Sequence, residues 1–75
     1  MNYIELESLL RDNHFYPERE KTVKKSSEKT TALRLNAFSF AKAELIETKL
    51  KGILSGVDYK AVFMPNESYI SIQLK

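Results

Sequence analysis

The sequence predicts a two-layer α+β domain in which two helices pack on one face of a small, mostly antiparallel sheet of three to four strands, in the order α-(β)-β-α-β-β. Three observations predict it. Phe40, Ala43, Ile46, Leu50, Ile53 and Leu54 recur at a helical period through residues 39–56. Thr31, Leu33, Leu35 and Ala37 alternate with Ala32, Arg34 and Asn36, the period of two of a half-buried strand. Residues 57–64 and 69–74 are rich in β-branched and aromatic side chains and flank Pro65-Asn66-Glu67-Ser68, a sequence suited to a hairpin turn.

Each element has a local justification. Asn2 and Glu5 form a capping box with Asn in place of Ser or Thr, so a first helix runs over residues 3–12, with Tyr3, Leu6, Leu9 and Leu10 on one face. Ile4 falls off that stripe. Glu7 and Arg11 stand four apart on the wet side, and Asn13 suits a left-handed residue that ends the helix. Pro17 forbids continuation and biases Tyr16 towards an extended conformation, and Phe15 and Tyr16 are expected to tuck under the helix end. Among residues 18–29 only Val23 is strongly apolar, which fits either a long mobile loop or, as the favoured reading, a solvated edge strand over residues 21–25 that turns near Ser26 and Ser27. The strand of residues 31–37 leads into the second helix, with Ser39 as its N-cap and Gly56 just past its end. In the last strand Ile70, Ile72 and Leu74 point one way and Tyr69, Ser71 and Gln73 the other, so one sheet face packs on helices and the reverse stays half polar.

With 75 residues the chain is a single domain, 1–75, near the lower limit at which one hydrophobic core outweighs conformational entropy. It has no cysteine, so disulfides and Cys-type metal or redox sites are excluded, and oligomerisation is the remaining route to extra buried surface. A homodimer is therefore one expected partner arrangement. Apolar residues at 43% and charged residues at 29% match an ordinary folded protein. No apolar run is long enough to span a membrane, and Glu5 and Glu7 stand where a secretory leader would carry lysines, so the expected location is cytoplasmic and no membrane partner is expected. The net charge of +2 resides in residues 18–31, where five bases face three acids, and charges elsewhere balance.

Catalytic readings lack parts. His14 is the lone histidine, there is no thiol, and Gly52 and Gly56 both belong to the second helix, which leaves no nucleophile elbow and no phosphate loop. Glu44 and Glu47 share a helix face but would need further oxygen ligands to hold a cation, and they read as solvated residues near the helix N-terminus. No enzyme activity, cofactor or metal is expected.

Two surfaces remain. On the second helix Ala41, Leu45, Thr48 and Gly52 line up on a second side, which the first helix is expected to cover unless it serves an intermolecular contact. The reverse of the sheet collects Arg34, Asn36, Lys60, Val62, Met64, Tyr69, Ser71 and Gln73. The reading is a non-catalytic protein-binding module of interaction or inhibitor type that acts by occupying a surface, with Leu45, Val62, Met64 and Tyr69 as a contiguous apolar patch. Compact chains of this kind include accessory proteins of mobile elements. The alternative is nucleic-acid binding, with Arg19, Lys21, Lys24, Lys25, Lys29 and Arg34 meeting phosphates and the open sheet face meeting bases.

Overall fold

The computed structural model describes residues 1–24 and 27–75, and the side chains of these except 23, 24, 27 and 28. The order is α1 (Tyr3–Asp12), β1 (Glu18–Lys24), β2 (Ser27–Asn36), α2 (Phe40–Ile53), β3 (Tyr59–Met64) and β4 (Tyr69–Leu74). The four strands form one antiparallel sheet in the order β1-β2-β4-β3, so this is an α+β fold in the predicted element order.

Local chemistry sets the helix ends. The Asn2 side chain accepts the Glu5 amide at 2.8 Å, and the Glu5 carboxylate accepts the Asn2 amide at 3.2 Å, which completes the capping box. At the other end of α1 the left-handed residue is His14, at φ 66, rather than Asn13. The Phe15 amide donates to the Leu10 carbonyl and the His14 amide to that of Arg11, a Schellman arrangement that puts the positive φ one residue past the cap. Asn13 instead uses its side chain to donate to the Leu9 carbonyl at 2.9 Å. Phe15 packs on the core as expected. Tyr16 does not tuck in: it is 67% exposed, with the Arg11 guanidinium 6.0 Å from its ring centre. Ser39 caps α2 by accepting the Lys42 amide, and Gly56, at φ 83, turns the chain towards β3.

The edge strand β1 begins at Glu18 and β2 at Ser27, so this hairpin pairs more of the chain than residues 21–25 and 31–37 suggested. Its outer rungs are charged and hydroxyl residues, and their cross-strand backbone bonds leave no hydropathy signal. The turn expected near Ser26 lies outside the described residues. Glu20 pairs with Ala32 and Lys21 with Thr30, so the register skips Thr31, the extra residue of a bulge in β2. β3 starts at Tyr59, leaving Val57 and Asp58 before it.

The core lies between the helices and one face of the sheet. Leu6 and Leu10 of α1 and Ala43, Ile46, Leu50 and Leu54 at α2 meet Leu33, Leu35, Ala37, Ile70 and Ile72, with Tyr59, Ala61 and Phe63 of β3 packed at its margin. Phe40, expected on this stripe, is 73% exposed. It is the first residue of α2, and its ring rests edge-on against Phe63 at 5.1 Å rather than entering the core. Ile4 is 71% exposed, as its position off the stripe implies.

Candidate functional site

The register assigns each strand residue to a face, because directly opposed residues point the same way. One row crosses the sheet as Arg19, Leu33, Ile72 and Ala61, and another as Leu35, Ile70 and Phe63; both face the helices. Between them run Glu18, Arg34, Ser71 and Val62, and then Asn36, Tyr69 and Met64, on the reverse. Neither helix covers this reverse face, so it meets solvent directly. Ala32 also falls on this side yet is wholly buried, since its small side chain lies below the level of its longer neighbours.

Arg34 organises the centre of the open face. Its guanidinium lies 4.8 Å from the Tyr69 ring centre, and its Nε donates to the Glu20 carboxylate at 3.4 Å. The hydrogen bond to Glu20 holds the Arg34 pKa above its ordinary value. The neighbouring Glu67 carboxylate raises the Tyr69 phenol above its usual range. Arg34, held by Glu20, thus lies against an aromatic ring across the middle of the sheet. Beside it, Val62, Met64 and Tyr69 line one shallow depression with Lys60, and Glu18, Asn36 and Glu67 line another around Arg34.

Of the four residues expected to form a single apolar patch, three come together. Val62, Met64 and Tyr69 are neighbours on the reverse face, but Leu45 lies in the helical layer beside His14, Phe15 and Tyr16. The patch is therefore not contiguous through Leu45, because the sheet separates the two groups. Leu45 is 60% exposed, and Ala41, Thr48 and Gly52 are exposed with it. This second side of α2 is not covered by α1, contrary to the expectation. The helices each pack down onto the sheet, and the space between them opens as a depression at His14, Phe15, Lys42 and Lys49.

The bases expected to follow a phosphate backbone do not gather on one face. Arg19 points to the helical side, where it makes two bonds to the Glu7 carboxylate at 2.8 and 3.2 Å, and Arg34 points to the reverse. Lys21 and Lys29 are exposed on the edge hairpin. Lys24 is described by its backbone alone, and Lys25 lies outside the described residues. The Arg34–Tyr69 stack, a pairing between strands far apart in the chain, is the feature that no local pattern signals. Among the described residues no three His, Asp or Glu side chains converge on a cation position, and no helix is long and apolar enough to cross a membrane.

Comparison of the chain with family models, with curated proteins and with solved structures gives no match in any of the three.

Proposed function

We propose that the protein is a non-catalytic binding module that occupies a surface of another protein with the reverse face of its sheet. The observation that carries this reading is the bare face on which Arg34, held by Glu20, lies against Tyr69 beside Val62 and Met64. An aromatic ring and an arginine ordered before contact lose little side-chain freedom on docking, and such residues are the usual energetic centres of protein interfaces. The chemistry of the face suits a partner offering one apolar side chain to the depression at Val62 and Met64. Glu18 and Glu67 at the Tyr69 end, where Arg34 is already engaged by Glu20, favour a base on the partner there.

Leu45, on the other side of the molecule, has no part in this contact. The arrangement of bases favours protein over nucleic acid, since Arg19 and Arg34 are both ion-paired and point to opposite sides.

Affinity isolation with the full chain tests the reading. Tyr69→Ala and Met64→Ala should each abolish retention of a partner that the parent chain and Leu45→Ala retain alike. Equal retention by all four proteins overturns it. So does filter retention of single-stranded nucleic acid that falls steeply with added salt.

A further inference from the structure

The two edges of the sheet differ in kind. The β1 edge alternates charges, carries Lys21 and Lys24, and runs beside the β2 bulge at Thr31, which increases the local twist, and all three hinder further strand pairing. The β3 edge, Tyr59–Met64, has one charge, Lys60, and neither proline nor bulge. Its core-facing residues Tyr59, Ala61 and Phe63 are only half-buried, whereas Ile70 and Ile72 beside them in β4 are wholly buried.

The direction of its free backbone groups follows from one bond. The Lys75 amide donates to the Asp58 carbonyl at 3.1 Å, so 58 and 75 form a hydrogen-bonded pair in the β3–β4 register. Pairs of this kind alternate along an antiparallel ladder. Lys60, Val62 and Met64 therefore spend their backbone groups on β4, and Tyr59, Ala61 and Phe63 aim theirs outward. Among the described residues none of these outward amides has a hydrogen-bond partner.

We propose that this edge pairs with the β3 edge of a second copy of the chain, antiparallel about a twofold axis at Ala61, making one continuous eight-stranded sheet. The inward side chains read aromatic, alanine, aromatic in either direction, so Tyr59 meets the partner's Phe63, Ala61 meets the partner's Ala61, and the exposed Phe40 ring leaning on Phe63 flanks the seam. Lys60 falls opposite the partner's Val62 on the solvent side.

Pro65 selects the register. Centring on Ala61 lets all three outward residues of each copy both donate and accept, whereas centring on Val62 sets Tyr59 against the partner's Pro65, which has no amide proton. A twofold pairing must keep each strand's core side facing the same way, which excludes axes between residues. A foreign strand would need the same palindrome to do as well.

The test is the mass of the full chain in solution. Sedimentation equilibrium should give twice the 8.7 kDa of one chain. Ala61→Pro should halve that mass with its circular dichroism unchanged, because the amide it removes faces away from β4. A 61–61 pair at the axis places the two Cα atoms about 5.5 Å apart, within disulfide reach. In this cysteine-free chain Ala61→Cys should therefore cross-link fully under mild oxidant, and Gln73→Cys should not. A parent chain that stays at the mass of one copy at millimolar concentration overturns the proposal, as does a dimer that survives Ala61→Pro. Should Ala61→Pro fail to fold, equal cross-linking of Ala61→Cys and Gln73→Cys overturns it instead.

Discussion

The Tyr3 hydroxyl accepts the Leu74 amide proton at 3.0 Å and donates to the Thr31 carbonyl at 2.9 Å, bridging helix α1 to strands β2 and β4 across 71 positions of chain. Continuing the β2–β4 register places Leu74 opposite Thr31 as a hydrogen-bonded pair, and the phenol stands where their direct bond would form. Tyr3→Phe should cost about 1–2 kcal/mol in chemical denaturation, since two half-buried backbone groups lose their partner together. The Leu74 amide should also exchange faster. Unchanged stability and exchange would show that the strands close this rung unaided.

Glu7 ties α1 to the β1 edge through Arg19, with Arg11 3.6 Å away on its own helix. Chiefly through the Arg19 hydrogen bond, its carboxyl is held below its ordinary value of 4.5. A depressed carboxyl stabilises the fold above its unfolded-state pKa and loses that contribution as pH falls through the folded-state pKa. Glu7→Gln should therefore cost up to about 1 kcal/mol at pH 7 and nothing at pH 2. Parallel stability curves for the two proteins between pH 7 and pH 2 would contradict this.

Leu50 and Leu45 separate the two sides of α2. Leu50 is wholly buried among core residues, so Leu50→Ala should lose about 2–5 kcal/mol, a large part of the stability of so small a domain. Leu45→Ala should stay within about 0.5 kcal/mol. Thermal denaturation of both reports the contrast, and comparable losses would mean that Leu45 is covered in solution.

The two glycines should respond with opposite signs. Gly52 sits inside α2 with open space where a Cβ would project, so Gly52→Ala should stabilise by about 0.5–1 kcal/mol. Gly56 has φ 83, and Gly56→Ala should destabilise by about 1 kcal/mol. Melting temperatures of the pair that move in the same direction would refute the assignment.

Much of the fold was legible because local chemistry and tertiary structure agree. The Asn2–Glu5 box, the Ser39 cap and the alternation in Tyr69–Leu74 all speak through neighbouring residues, and α1 and β4 appear with the predicted bounds. What was missed depends on distant partners. Nothing near Phe40 signals that its ring meets Phe63 and not the core, and nothing near Leu45 signals that α1 leaves it uncovered. The reverse face was legible as a list of residues from strand alternation, but not the Arg34–Tyr69 contact, which needed the β2–β4 pairing.

The position of β4 governs how the molecule is built. It follows the other three strands in the chain, yet it separates β2 from β3, so β3 has no place in the sheet without it. Until it arrives, the nascent polypeptide holds one ribbon of β1 and β2 and a β3 with nothing to join. Assembly is consequently a late, concerted event, and a protease cut in the loop at residues 65–68 would release the piece on which both halves depend.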